Sequence, residues 1–383
     1  MPPAEPPALS FVFPCLNEEG TLALCVTAVK KALAPSGISY EIIVADNGST
    51  DRSRDIALEL GCRLVPIPVR GYGAALKGGI EAATGSYILF ADSDNTYLYE
   101  HTASLYLEAV KHQAGMAIAS RTTGVIEPGA MPPLHRYLGT PILTWLINRL
   151  FNGRLTDCNS GFRCIRKADY LTWDIRSDGM EFASELLIKA LKARTHTVEI
   201  PSGLRCGPPD RVAHLRTWRD GMRHLLFILS EKPSLFEKSG LFLALTATLI
   251  QLLALITGPI ALGPFNIFDM HSQTLLLLIG ILGTQLYIFS CSLFLRSIDP
   301  PLSLTRRLIN MDEGSLFFLL LTVLTGCLAL GASLTLAWAR SGFSGLQHAN
   351  NLIGAVHFLG VAATASFGLL SVHTLKKARS SPS

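Results

Sequence analysis

Two aspartates stand two residues apart in ADSDNTY (residues 91–97), directly after the apolar run YILF (residues 87–90). Carboxylates at this spacing, at the C-terminal end of a strand where open α/β sheets take their ligands, can hold a divalent cation that bridges diphosphate oxygens. That chemistry points to Asp92 and Asp94 as the residues on metal and phosphorylated ligand. A D-x-D by itself is common in acidic turns, so its weight depends on its neighbours.

Two further strand ends carry polar groups of the same kind. FPCLNEEGTL (residues 13–22) places Asn17 and Glu18 just after one apolar run, and IIVADNGSTD (residues 42–51) places Asp46 and Asn47 at the end of another. Amides and carboxylates there can accept hydrogen bonds from a base or ribose lying in the crevice at the sheet edge. Asn47, Gly48 and Ser49 also read as a turn leading into a helix cap, and the two roles are compatible.

The elements that must position these turns follow from periodicity. Strands are expected at residues 9–13, 41–45, 63–66, 87–91 and 116–119, and helical spacing of apolar residues covers 20–34, 51–60 and 73–83. Alternation of this kind implies an α/β, Rossmann-like domain. From Gly240 onward the text changes to apolar runs at about 240–262, 274–295, 315–339 and 352–372, each long enough for a bilayer-spanning helix. The expected division is therefore a catalytic domain over 1–204, a basic loop and amphipathic segment over 205–238, and an all-α four-helix transmembrane domain over 239–383.

Composition agrees with a chain partly in lipid: 49% of the 383 residues are hydrophobic and 16% are charged, against roughly a quarter in soluble proteins. Arg296, Arg306 and Arg307 follow the second run, and Lys376, Lys377 and Arg379 follow the fourth, whereas the opposite side offers Arg340. The positive-inside rule then puts both termini in the cytosol. MPPAEPPAL at the start has no basic segment leading into an apolar stretch, so the first domain is expected to stay cytosolic. A net charge of +4, with no basic run interleaved with aromatics, argues against nucleic acid as a partner. Eight scattered cysteines without a CxxC pair read as reduced thiols. LGTPILTWLINRLF (residues 138–151) and TWRDGMRHLLFILS (residues 217–230) are amphipathic, with Trp145 and Trp218 beside Arg149, Arg219 and Arg223. They fit either an interfacial position at the headgroups or core helices of the first domain.

Taken together, residues 13–22, 42–51, RGYGAALKGG (residues 70–79) and ADSDNTY resemble family 2 glycosyltransferases with the GT-A fold, in particular the polyprenyl-phosphate enzymes of the dolichol-phosphate mannose synthase type. The resemblance covers about residues 9–225. It implies that Pro14, Leu16 and Glu18 line a nucleotide-sugar site, with Val44 and Asp46 against the base and Asp92 and Ser93 at ribose and diphosphate. It also implies Mg2+ or Mn2+ on Asp94 and Thr96, although Thr96 stands where relatives often have Gln, and Asn47 where Asp is frequent. IASRTTG (residues 118–124), LHRYLGT (residues 134–140) and DCNSGFR (residues 157–163) follow in the group's order. Through them Arg121, Arg136 and Thr140 match positions that grip an acceptor phosphate, a task suited to the guanidinium fork. Residues 205–225 match a basic loop that closes over the donor. His214 occupies the place of a frequent Lys there, so the closing charge falls on Arg205, Arg211 or Arg216.

The resemblance implies inverting, metal-dependent sugar transfer from a nucleotide sugar to a lipid phosphate at the cytoplasmic membrane face, with Asp92, Asp94, Arg121 and Arg136 at the reacting centre. A phosphate nucleophile is already anionic and needs no strong base. A neutral lipid such as diacylglycerol would need one, for which Asp157, Glu181 or Glu185 stand available. A lipid-sugar transporter with a degenerate catalytic domain is the third reading. The Q-x-x-R-W motif of processive synthases is absent.

Overall fold

β1 (Leu9–Cys15) is apolar apart from Ser10 and buried along its whole length, as a strand covered by helices on both faces must be. β2 (Tyr40–Asp46) and β4 (Tyr87–Phe90) flank it in parallel, and β3 (Arg63–Pro66) lies beyond β2. The crossovers are α1 (Leu22–Leu33), α2 (Ser53–Glu59) and α3 (Tyr72–Ala82). The computed structural model describes residues 6–207, 217–262, 265–344 and 346–380.

The expected α/β elements are all present, and the sheet is larger than periodicity implied. After α4 (Thr102–Lys111), β5 runs from Met116 to Ile126, well past its expected end. Two strands were not foreseen: β6 (Arg163–Arg166), too short to show a period, and β7 (Thr197–Leu204). The order is β3-β2-β1-β4-β6-β5-β7, with β6 antiparallel between β4 and β5 and with β5 parallel to β7. The sheet packs a core on each face by the two-residue alternation of its strands: Phe11, Phe13 and Val44 with Leu22, Val26 and Leu105 on one side, and Val12 and Ile43 with Ile80, Ile147 and Leu187 on the other. The second core takes in α5 (Thr140–Phe151) and α7 (Phe182–Lys192), separated in sequence by β6 and the short α6 (Lys167–Tyr170).

Both amphipathic segments are helices. α5 buries Leu143, Ile147 and Phe151 in the core and leaves Ile142 and Trp145 exposed, so it is a core helix with an apolar outer edge. α8 (Thr217–Ser230) likewise buries Ile228 in that core, with Met222 and Leu226 outside.

The chain divides into two compact units, Met1–Leu229 and Ser230–Ser383. The second is helical, and its α9 (Pro233–Thr257), α10 (Met270–Phe294), α12 (Glu313–Arg340) and α13 (Leu346–Ser380) are long and apolar enough to cross a membrane. A short α11 (Ser303–Asn310) lies between the second and third. The first of these begins earlier than its apolar run because Pro233 opens it, and it ends at Gly258, whose φ of 69 is left-handed. Phe242, Leu249, Ile256, Leu278 and Phe318 face outward and exposed, a surface suited to lipid chains and not to water. α9 and α10 approach with backbones in contact. A Cβ on Gly240 would lie 2.5 Å from the Tyr287 nitrogen, and one on Gly283 would lie 2.4 Å from the Ala244 nitrogen. Farther along the same pair, the buried Gln251 donates from Nε2 to Gln273 Oε1 at 2.8 Å.

Candidate active site

Parallel pairing sets Cys15 beside Asp46 and Val12 beside Phe90, so the turns after β1, β2 and β4 share one edge of the sheet. In the turn after β4, Asp92 is half-buried and its Oδ1 accepts the Tyr72 phenol at 2.8 Å. The Tyr99 hydroxyl donates to the Asp92 carbonyl. Asp94 is nearly buried and its Oδ1 accepts from Thr96 N at 3.1 Å and from Thr96 Oγ1 at 2.6 Å. Asn95 supplies the left-handed residue of this turn, φ 59. Burial pushes the Tyr72 and Tyr97 phenols up, so both stay neutral.

This loop brings together two carboxylates and a hydroxyl, a set of hard oxygen donors that suits Mg2+ or Mn2+ and not zinc. Among the described residues no group of three His, Cys, Asp or Glu side chains forms a closed cage. Magnesium sites of this class take only one or two carboxylates and are completed by substrate phosphates, so the residues present fit the ion.

Several residues expected on the nucleotide serve to build the edge. Ser93 donates its hydroxyl to the Pro14 carbonyl at 2.8 Å, stitching the turn after β4 to β1. Val44 has no exposed surface and its side chain belongs to the core, which takes it away from the base. Leu16 and Glu18 remain half-exposed, and Glu18 accepts from Thr21 Oγ1 at 2.7 Å. Asp46 accepts from Ser49 N at 3.0 Å and from Arg54 Nε at 2.7 Å. Burial alone would raise its pKa, but the Ser49 and Arg54 contacts outweigh that and hold it below the usual carboxylate range.

Asn47 explains why an amide stands there. Its Nδ2 donates to Ile67 O at 3.3 Å and Val69 O at 2.6 Å, while its Oδ1 accepts from Gly71 N at 2.8 Å. An aspartate keeps the last contact and opposes a carboxylate to two carbonyls. We expect Asn47→Asp to destabilise the first unit by about 2 kcal/mol or more, read as a lower thermal midpoint. An unchanged midpoint would show that the amide donors are dispensable. The glycines of residues 70–79 also serve close packing: a Cβ on Gly71, at φ 142, would sit 2.1 Å from the Asp178 carbonyl, and one on Gly79 would sit 2.4 Å from Val12 Cγ1.

On the other side of the Asp92 turn lies a second charged cluster. Gly161 N donates to Tyr97 Oη at 2.6 Å, and a Cβ on Gly161 would stand 3.2 Å from Asp92 Oδ2. Beyond it, Arg121 donates Nε and Nη2 to the two oxygens of Asp157 at 2.7 and 2.9 Å, and its backbone N adds a bond of 3.1 Å. The carboxylate is fully buried and the guanidinium nearly so. Burial, with the Arg121 charge adding to it, lowers the pKa of His135. Arg136 is half-exposed, its guanidinium 5.5 Å from the centre of the Tyr137 ring, and Thr140 Oγ1 accepts from Asn159 Nδ2 at 3.2 Å.

Residues 10–171 match the family described as glycosyl transferase family 2. The chain is also 35% identical over 347 residues to the low-salt glycan biosynthesis hexosyltransferase Agl6 of Haloferax volcanii, covering 89% of this chain and 82% of that one. It belongs to glycosyl transferase family 2. A second relative of this glycosyltransferase, the dolichol-phosphate mannosyltransferase of Pyrococcus furiosus, is 27% identical over 57% of this chain and 62% of its own. Among solved structures, glucosyl-3-phosphoglycerate synthase from Mycobacterium tuberculosis, in complex with Mn2+, uridine diphosphate and phosphoglyceric acid, aligns with TM-score 0.46 and 21% identity, over 58% of this chain and 78% of that one.

In this family 2 enzyme the two glutamates named as available bases, Glu181 and Glu185, differ in their surroundings. Glu185 is buried and accepts from Arg176 N at 3.1 Å and Ser177 N at 2.7 Å, holding the loop before α7, whereas Glu181 is half-exposed at the start of that helix. Arg163 is wholly buried and donates to three carbonyls, those of Ser160, Ala183 and Cys158, so it braces the DCNSGFR turn. Arg205 pairs with Glu100, and its backbone N donates to Thr96 O at 2.9 Å, tying the end of β7 to the Asp94 turn. Arg211, His214 and Arg216 lie outside the described residues. Tyr72 and Tyr97 are not marked by periodicity; for Tyr72 the one sign in the sequence is its place inside the glycine-rich motif, ahead of a helix aimed at the same edge. Next to Arg136 the surface is apolar and exposed: Leu134, Tyr137, Leu138, Ile142 and Trp145.

Proposed function

We propose that this glycosyltransferase moves a sugar, with inversion, from a nucleotide sugar to a polyprenyl phosphate of the dolichyl or undecaprenyl kind at the cytoplasmic face of a membrane. The observation that carries this reading is Asp157, whose two oxygens are both tied to Arg121 next to the Asp92 turn. A hydroxyl acceptor needs a carboxylate to take its proton, and two of the three acids placed for that, Asp157 and Glu185, are committed to other donors. A phosphate needs none.

In this scheme an acceptor phosphate oxygen bonds to the anomeric carbon as the bond from that carbon to the donor diphosphate breaks, and the electron pair leaves with the nucleoside diphosphate. Arg136 and Thr140 hold the acceptor phosphate, and Arg121, its fork taken up by Asp157 in a neutral pair, frames the site beside them. Tyr72 keeps the Asp92 carboxylate turned to the crevice. Mg2+ or Mn2+ held by Asp94 and Thr96 would supply charge neutralisation for the diphosphate. Glu18 and Asp46 flank the nucleotide, and the closing charge is assigned to the basic segment with Arg205, Arg211 and Arg216. The exposed apolar strip from Leu134 to Trp145 suits the first isoprene units of the acceptor. The relatives named above, a hexosyltransferase and a dolichol-phosphate mannosyltransferase, support the same direction. In the second unit, the end bearing Arg296, Arg306, Arg307 and Lys376 is the cytosolic one by charge.

The test is a panel: purified full-length protein, Mg2+, labelled nucleotide sugars, and either polyprenyl phosphate or diacylglycerol. Label is expected on the polyprenyl phosphate, lost in EDTA and regained with Mg2+ or Mn2+. Label on diacylglycerol alone, or transfer that persists in chelator, would overturn the proposal.

A further inference from the structure

At one end of the helical unit, a cavity of about 500 Å3 opens between the end of α10, the amphipathic α11 and the last turns of α13. Phe294, Leu295, Pro301 and Ile309 form its apolar wall, and Arg306, Asn310 and Lys376 its polar side. Among the described residues that line it, none is acidic. Arg306 is exposed, and its guanidinium makes no hydrogen bond or ion pair with any described residue. Lys376 is held in place, donating to Ile309 O and Asn310 Oδ1 at 2.9 Å each.

The frame around the cavity is fixed from three helices. Leu302 N donates to Glu237 Oε1 of α9 at 2.9 Å, Thr305 Oγ1 meets Tyr287 Oη of α10 at 3.2 Å, and His373 of α13 lies 2.9 Å from the Leu308 carbonyl. Lys376 has an evident structural task, since a cation beside the last carbonyls of α11 favours that helix end. That task does not account for Arg306, which sits on the same cavity with no described residue pairing with its charge, over a wall of phenyl and alkyl groups.

From this combination we propose that the cavity binds the phosphate of a membrane lipid, with Arg306 as the anion-gripping residue, Lys376 as a second charge, and the Phe294–Ile309 wall against the first methylenes of the chain. A basic recess between spanning helices at the headgroup level is chemically matched to an anionic lipid phosphate. The site is made only of residues of the helical unit, and it stands whether the catalytic unit uses a lipid phosphate or a neutral lipid.

The experiment uses the full chain in detergent, offered equal amounts of phosphatidylglycerol and phosphatidylcholine, with bound lipid counted by native mass spectrometry. Phosphatidylglycerol is expected to dominate, to fall about tenfold in Arg306→Gln, and to be unaffected in Arg307→Gln, a cation on the same helix outside the cavity. Asp94→Asn, which disables the catalytic edge, is expected to leave this lipid bound, so failure of the catalytic reading and failure of this one give different results. Replacing phosphatidylglycerol with polyprenyl phosphate should give the same dependence on Arg306. Equal binding of phosphatidylcholine, equal losses in the Arg306 and Arg307 variants, or displacement of the lipid by excess inorganic phosphate would each overturn the proposal.

Discussion

Asp94→Asn is expected to cut sugar transfer on the order of a hundredfold or more while hardly moving the thermal midpoint. The amide keeps an oxygen to accept from Thr96 N and Oγ1, two contacts that shape the turn, and loses the negative charge and the second acceptor oxygen. Alanine is a poorer test, because it also strips both hydrogen bonds, each worth about 1 kcal/mol. Binding of Mn2+ in the presence of nucleotide, followed by titration calorimetry, should weaken in parallel with turnover. If Asp94→Asn turns over at the normal rate at the same metal concentration, the carboxylate belongs to the turn and not to the reaction.

The second large effect separates two arginines that look equivalent in the sequence. Arg121→Ala leaves the fully buried Asp157 without its ionic partner, which costs about 3–5 kcal/mol and lowers the midpoint on the order of 10 °C. Arg136→Ala removes a half-exposed side chain that lies against the Tyr137 ring, so the midpoint should stay within about a degree while acceptor KM rises roughly tenfold. Arg121→Lys should recover only part of the lost stability, since an ammonium cannot present the planar fork that meets both Asp157 oxygens. The pair also has a pH signature. Burial raises the Asp157 pKa, the Arg121 charge outweighs it, and the folded value lies below the ordinary one. Its stabilisation is therefore complete above about pH 4 and disappears as pH falls through the depressed folded value. An Arg121→Ala protein as stable as the parent, or an Arg136→Ala protein with unchanged acceptor KM, would reverse these assignments.

The fold was legible wherever the signal is local. The apolar runs of β1, β2 and β4 end in polar turns, and parallel pairing forces those turns to one edge, so the shared position of Asp92, Asp94, Asp46 and Glu18 at that edge is legible from spacing alone. What stayed hidden depends on partners far away in the chain. Nothing near Arg121 announces that Asp157 will saturate its fork, and Ser93 looks like a ligand until Pro14 is seen to accept its proton. Val44 shows the same limit: strand period says which face it takes, but only the packing of α1 and α4 says that this face is sealed. β6 escaped because four residues are too few for a period, although its antiparallel insertion is what brings the DCNSGFR turn back towards Asp92.

The α9–α10 hairpin carries two pins, the Gly240–Gly283 backbone contact and the Gln251–Gln273 amide pair. They lie about three turns apart along α9. Sliding one helix past the other by a single turn, about 5.4 Å, would drive a glycine notch against a side chain and strand both amides in hydrocarbon. A bilayer thicker or thinner than the resting one therefore cannot be met by letting the two helices creep along each other. The pair must tilt as one body, or the lipid around it must deform, so variation in membrane thickness reaches this unit as a change of angle and not of length.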